Sequence, residues 1–315
     1  MEESPLIIGC DIGGTKTAVV LGTPDGRIVW RHQFLTETGG GFSAAFGRLS
    51  EGIVQAQARA GKHAAALSVS IGGPLDIMKG IIKSPPNLPG WDDIPLKQML
   101  MDQFGLPVHI EHDGNAGALA EMLFGAGRGC KNLVFLTMGT GLGAGIILDG
   151  RLYRGTNDVA GEVGHIRIAE KGPDCYGKAG SFEGYCSGTG ITRLAEMLYP
   201  GKWQGGVQEL YEAWKHGDTA AGVVFGRSAE AFGRGLAMIV DMLNPERIIL
   251  GGLGIRIADA LVEPALRLLR TEALPQALEV CSVVPAQLGE SIGDYAALCA
   301  ALDQGGLRQS PPVDH

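Results

Sequence analysis

The feature that most constrains this chain is a pattern used twice. "LIIGCDIGGTKTAVVLGTPDGRIV" runs from Leu6 to Val29, and "LVFLTMGTGLGAGIILDGRLYRG" runs from Leu133 to Gly155. In each, an apolar run meets a Gly/Thr-rich turn. A β-branched run follows, then an Asp-Gly turn, then a third short run. Asp-Gly between apolar runs is a strong hairpin signal. Each segment therefore reads as a three-stranded meander with a glycine corner, and the pair reads as a duplicated half-domain.

The rest of the chain fits between and after these units. "FSAAFGRLSEGIVQAQARAG" has the spacing of an amphipathic helix ending at Gly61. "AALSVSIGGPLD" reads as a strand running into a turn, and "PVHIEHDGNAGALAEMLFGAG" as strand, turn and a helix capped near Gly125. Helices are expected over Gly190–Leu198 and Thr219–Leu243, a buried strand in "PERIILGG", and a last strand–helix pair in "LEVCSVVPAQLG" and "GDYAALCAALDQ". Strands alternating with helices, plus two meanders, make an α/β chain of two related lobes. The tail "RQSPPVDH" is expected to be loose.

Composition narrows the function. Gly supplies 50 of 315 residues, about twice the usual roughly 7%, with no collagen-like period. Tight turns and close backbone approaches are implied. The net charge of −8 argues against a nucleic-acid footprint. It does not bar local phosphate binding by backbone N–H groups. "MEESPLIIGCDIGG" has neither a basic nor a long apolar stretch, so no secretory signal is expected, and no apolar run is long enough for a membrane span. Six scattered cysteines read as reduced thiols, hence a cytoplasmic protein.

The two glycine turns raise the question of phosphate. "DIGGTKT" puts Asp11 at a strand end, followed by Gly13, Gly14, Thr15 and Lys16; "MGTGLGAG" supplies Gly139, Thr140, Gly141 and Gly143. Glycine lets N–H groups face a phosphate without a Cβ in the way, and threonine adds a hydroxyl. Asp11 suits a hydrated Mg²⁺, which takes few carboxylates and keeps its waters. Either turn alone could be a plain hairpin corner; two equivalent ones favour a clamp. "GCDIGGTK" is not a P-loop, because Thr-Lys stands where Lys-Ser/Thr is needed. No GxGxxG follows a strand, so a Rossmann site is not supported.

An acceptor side can also be read. In "EHDGNAGALAE", Asp113 could take a proton from a bound hydroxyl or cap a helix. "GEVGH" sets Glu162 and His165 three apart, and Glu183 is a third polar candidate. They are either convergent polar ligands or solvated surface groups. His109 and His112 would face opposite sides of a strand, which argues against a shared metal.

These motifs give the chain a specific likeness. "DIGGTKT", the duplicated meander and "GTGLGAGII" resemble the superfamily of sugar kinases, Hsp70 chaperones and actin. Within it, "PPNLPGW", "EHDGNAGALAE", "AGEVGHI", "GSFEGYCSG" and "NPERIILGG" are similar to the ROK family of bacterial sugar kinases and repressors, in family order over most of the chain. The resemblance implies two ribonuclease-H-like lobes with a cleft between them. A small lobe is expected over 1–118, completed by a C-terminal helix over 294–308, and a larger one over 119–293. It implies ATP and Mg²⁺, with Asp11, Gly13, Gly14, Thr15, Lys16, Gly139, Thr140, Gly141, Gly251 and Gly252 on the nucleotide side and Mg²⁺ reached from Asp11 through water. It makes Asp113 the catalytic base, and Asn87, His112, Glu162, His165 and Glu183 sugar ligands. His112 stands where the family usually has Asn, which puts epimer preference in doubt.

The implied activity is that of a glucokinase-like hexokinase acting on the 6-OH, with fructokinase, allose kinase and N-acetylmannosamine kinase as alternatives. Repressor members carry a helix-turn-helix before the phosphate turn. Here the first strand begins by Leu6, so a kinase is expected, without nucleic-acid or membrane partners and as a homodimer. A sugar-binding regulator without catalysis is the second reading, and the retained Asp11, Thr15, Lys16 and Asp113 argue against it. The family's zinc loop has a His and then CxCGxxGC. Aligned on Gly177, Gly180 and Glu183, this chain has Asp174, Tyr176 and Ser181 at the cysteine positions. His165 and Cys175, even with Cys186, leave a tetrahedral site incomplete. No structural zinc is expected, and Tyr176, Phe182 and Tyr185 are expected to pack in its stead.

Overall fold

The computed structural model describes residues 5–307. The chain divides into two compact units, residues 1–124 with 290–315, and residues 125–289. The tail "RQSPPVDH" and the last residue of the expected 294–308 helix lie outside the described residues.

The first unit is built on a sheet of β1 (Leu6–Ile12), β2 (Lys16–Gly22), β3 (Ile28–Leu35), β4 (Ala64–Ile71) and, after a short hairpin of β5 (Leu75–Asp76) and β6 (Ile81–Ile82), β7 (Val108–His112). Its order is β3-β2-β1-β4-β7, with β1–β2 and β2–β3 antiparallel and β1–β4 and β4–β7 parallel. Strand β1 is buried on both faces, which explains its unbroken apolar run. Ile8, Cys10 and Ile12 meet α1 (Gly41–Ala60) and α2 (Leu96–Phe104) through Leu49, Ile53 and Leu100. Ile7, with Val20 and Ala66, meets the C-terminal helix Ile292–Gln304 through Ala297, Leu298, Ala301 and Leu302. Ser68 fixes that helix by accepting from the Ala301 N–H at 3.1 Å.

No turn separates β7 from its helix. α3 (Asp113–Phe124) starts on the residue after the strand, a correction to the expected strand–turn–helix. The boundary expected after residue 118 falls within α3, whose Leu123 and Phe124 pack on the cluster beneath the C-terminal helix.

The second unit repeats the plan. Its sheet holds β8 (Leu133–Met138), β9 (Leu142–Leu148), β10 (Arg151–Leu152), β13 (Arg247–Leu250) and β14 (Ser282–Pro285) in the order β10-β9-β8-β13-β14, with the same two antiparallel and two parallel pairings. A meander, then two parallel strands added on the far side of its first strand, is the ribonuclease-H-like arrangement, and the chain carries it twice. Between β10 and β13 lie a hairpin of β11 (Asp174–Cys175) and β12 (Lys178–Ala179), then α4 (Phe182–Cys186), α5 (Gly188–Leu198), α6 (Gly206–Lys215) and α7 (Thr219–Leu243). α7 is capped by Asp218, which accepts from the N–H groups of Ala220 and Ala221. It ends at Asn244 in the left-handed region, at φ 44°. Its Phe225, Phe232 and Leu236 fill the core with Leu136, Ile248, Leu250 and Leu261.

Candidate active site

On the first unit, the corner between β1 and β2 is a braced turn. The Gly13 N–H donates to Lys16 O at 3.1 Å, and Thr36 Oγ1 donates to Gly13 O at 2.6 Å. Thr17 and Thr36 hydroxyls pair at 2.9 Å, and the Thr36 N–H reaches Thr15 O. Thr15 and Lys16 are left exposed at the tip. The loop Pro85–Trp91 lies against this turn. Leu88 and Trp91 anchor it in the core, Trp91 edge-on to Phe42 at 4.9 Å, and Asn87 stays exposed. A Cβ on Gly14 would lie 2.5 Å from Asn87 O, so the turn and the loop touch only because residue 14 has no side chain.

Asp11 lies near the end of β1, opposite Ala18 on β2 and Ser70 on β4. Its carboxylate is sunk against Gly293 in the first turn of the C-terminal helix. Burial, then the charges of Asp113 and Asp294, push its pKa up to about 6; Ser70 and Arg31 pull the other way. Arg31 Nε also donates to both carboxylate oxygens of Asp294, each at 2.8 Å. Ser70 Oγ favours the charged form of Asp11, and among the described residues this buried hydroxyl completes no hydrogen bond.

Asp113 is exposed at the β7–α3 junction. Its Oδ1 accepts from the Gly114 N–H at 2.7 Å and lies 3.1 Å from His112 Nδ1. No hydrogen bond is made by Oδ2 among the described residues. His112 packs its ring edge beside Gly73. His109 turns the other way along β7, towards Gln304 and Gly305.

On the second unit, Gly139, Thr140 and Gly141 form the corner between β8 and β9, with the Gly139 N–H on Gly141 O at 3.0 Å. The start of α5 is tied to it: the Gly188 N–H donates to Gly139 O at 2.8 Å and the Thr189 N–H to Thr140 O at 3.3 Å. Gly251 and Gly252 follow β13, and the Gly251 N–H donates to Leu136 O at 2.9 Å. Gly252 has φ 57° and sits on Met138 O, where no Cβ would fit. Glu162 and His165 flank the short turn Val163–His165 and are both exposed. Glu183 lies in α4, and its Oε2 accepts from the Leu142 N–H at 2.9 Å.

The stretch from His165 to Cys186 holds itself together with hydrogen bonds and packing. β11 and β12 meet in a two-residue turn at Tyr176 and Gly177, with φ 53° and 67°. Asp174 accepts from the Gly177 N–H at 3.1 Å, and Arg193 donates to Asp174 O at 2.5 Å. Tyr176 stacks on His165 at 5.4 Å, Tyr185 donates to Lys171 O at 2.7 Å, and Phe182 packs on Phe232 at 5.9 Å. Cys186 is a core residue. Among the described residues no group of three His, Cys, Asp or Glu side chains is placed to hold a metal.

Residues 7–303 match the model of the ROK family over nearly the whole chain. The chain belongs to the ROK family. It is 31% identical to a glucokinase of Thermotoga maritima over 92% of this chain and 95% of that one. It resembles the crystal structure of a ROK hexokinase from Thermus thermophilus, with TM-score 0.83 and 31% identity over 96% of this chain and 99% of the other. A ROK glucokinase from Streptomyces griseus, solved with glucose and AMPPNP, matches with TM-score 0.75 and 31% identity over 96% of this chain and all of that one. Xylose repressors match too, over a smaller share of their length.

Within this ROK chain, the motif residues fall into two sets. Asp11, Gly13–Lys16, Asn87, His112 and Asp113 are on the first unit; Gly139–Gly141, Glu162, His165, Glu183, Gly251 and Gly252 are on the second. Thr36, Ser70, Arg31 and Asp294 lie outside the site motifs. The sheet brings Ser70 and Arg31 towards Asp11, Thr36 follows β3 to the turn, and Asp294 arrives on the C-terminal helix. The surroundings of Asp11 suit a hydrated divalent cation: burial, then the charges of Asp113 and Asp294, disfavour its charged form, and the Ser70 hydroxyl, which completes no hydrogen bond among the described residues, lies beside it.

Proposed function

We propose that this chain is an ATP-dependent hexose kinase that transfers the γ-phosphoryl group to a sugar hydroxyl, with the glucose 6-OH as the first candidate. The observation that carries the reading is Asp113. One of its oxygens accepts from the Gly114 N–H, and the other makes no hydrogen bond among the described residues, at the exposed start of α3. Such a carboxylate can take the hydroxyl proton as the sugar oxygen bonds to the γ-phosphorus and the bond to the β-phosphate oxygen breaks, releasing ADP.

The other roles follow the same logic. The turns at Gly13–Lys16 and Gly139–Gly141 would hold phosphates by N–H and hydroxyl donors, and Gly251 and Gly252 would border the adenosine. Asp11 would hold Mg²⁺ through water, which would neutralise phosphate charge. Asn87 and His112 on the first unit, and Glu162, His165 and Glu183 on the second, would bind sugar hydroxyls, since a site built of polar groups rejects a substrate that leaves them unpaired. A cytoplasmic homodimer without nucleic-acid partners belongs to this reading. No helix among the described residues is long and apolar enough to cross a membrane.

The test is ADP release from ATP with glucose, fructose, allose, mannose and N-acetylmannosamine. Turnover highest with glucose, giving the 6-phosphate, is expected; a preference for another sugar selects one of the alternative kinases. Tight sugar binding with no ATP consumed on any sugar would instead support a non-enzymatic regulator.

A further inference from the structure

Glu183 touches two parts of the second unit at once. Its backbone is fixed from both sides. Ser181 caps α4 by accepting from the Gly184 N–H at 3.1 Å, and Glu183 O accepts from the Ser187 N–H at 3.0 Å. Phe182 beside it is sunk in the core. From this anchor the side chain reaches the glycine corner, where Oε2 accepts from the Leu142 N–H at 2.9 Å. A Cβ on Gly141 would come within 2.8 Å of that oxygen, so the contact needs a bare residue 141. On its other flank, Glu183 Cβ lies 3.2 Å from the Cβ position of Gly164, in the turn that carries Glu162 and His165. Among the described residues Glu183 Oε1 makes no hydrogen bond, while its charge raises the pKa of Tyr176 and Cys175, after their burial.

We infer that Glu183 is a positioning residue that couples sugar binding to the Gly139–Leu142 phosphate turn. One carboxylate has its two oxygens on two tasks. A sugar hydroxyl donating to Oε1 fixes the carboxylate plane and so holds Oε2 on Leu142 N. The same segment ties the turn at its start through Gly188 and Thr189. A turn held at both ends presents its N–H groups in one geometry, so sugar favours nucleotide phosphate. Linkage makes the effect reciprocal: nucleotide tightens sugar by the same factor.

This rests on the sugar-kinase reading, and calorimetry separates the two. AMPPNP with Mg²⁺ is titrated with and without glucose, and glucose with and without AMPPNP. In the wild-type chain the two ligands should tighten one another by about tenfold. Glu183→Ala should bring that factor to about one. Gly141→Ala keeps the carboxylate and crowds it off Leu142 N; it should also lose the coupling. Glu162→Ala should weaken glucose and keep the factor. If the wild type binds neither ligand, the kinase reading fails. If it binds both and the factor survives in Glu183→Ala or Gly141→Ala, or is already one in the wild type, the coupling is overturned.

Discussion

Asp113 is defined by the absence of a connecting turn. The chain leaves β7 at His112 and enters α3 at Asp113, so the carboxylate stands at the sheet's end with the Gly114 N–H on one of its oxygens. Asp113→Asn should lower kcat by roughly 10²–10⁴-fold, the usual share of a general base, with glucose affinity changed far less. Steady-state rates and a glucose titration check this; near-normal turnover would remove Asp113 from the role. Asp11 makes a prediction about pH. Its pKa rises from an ordinary 3.8 to about 6, chiefly by burial. Below the ordinary value both folded and unfolded chains hold the proton and nothing is lost. Between the two values only the unfolded chain ionises, so ligand-free stability should fall as pH rises from about 4 to 6, by about 3 kcal/mol at most. Urea unfolding across that range should show the slope, and Asp11→Asn should flatten it. Asp11 stood out as a candidate beside its glycine turn, and Asp113 only through the family resemblance. Ser70 and Asp294 were not legible, because Asp294 reaches the site from the far end of the chain through the C-terminal helix.

At the scale of elements, a glycine turn needs bracing before it can hold anything. Thr36, one residue after β3, supplies the brace with its hydroxyl on Gly13 O and Thr17. Thr36→Val keeps the shape and leaves both partners unpaired, so it should cost about 1–3 kcal/mol. Nucleotide affinity should drop with it, since the turn's N–H groups lose their fixed direction; urea unfolding and AMPPNP titration read the two effects. The loop from His165 to Cys186 is a second braced element. Its hairpin and Arg193 supply cross-links where the family pattern has metal-binding cysteines. Protein purified without chelator should carry far less than one zinc per chain by mass spectrometry; near one zinc would refute this. The two meanders, α7 and the last strand–helix pair were legible because periodicity and caps agree with packing. Helix Ala258–Glu272 carried no expectation, since Pro264 within it reads as a breaker. The hairpins β5–β6 and β11–β12 have two-residue strands, too short for any period to show.

At the scale of the whole chain, the duplication decides the fold but not the order of its assembly. The second unit is one continuous stretch, residues 125–289, whereas the first takes residues 290–315 from the far end. The returning helix covers the sheet face formed by Ile7, Val20 and Ala66, and Leu298 and Leu302 are almost fully buried there. Each such leucine contributes about 2–3 kcal/mol of burial, and two of them approach the lower end of a typical domain's net stability of roughly 5–15 kcal/mol. The first unit therefore cannot be completed until the last segment is made. A chain ended at Gly289 should keep slow amide exchange in β8, β9, β13 and α7 and lose it in β1, β2 and β4. Its calorimetric trace should retain the unfolding of the second unit alone. Full protection of β1 and β4 in the shortened chain would mean that α1 and α2 suffice to hold the sheet, and that the returning helix is a cover rather than a part of the core.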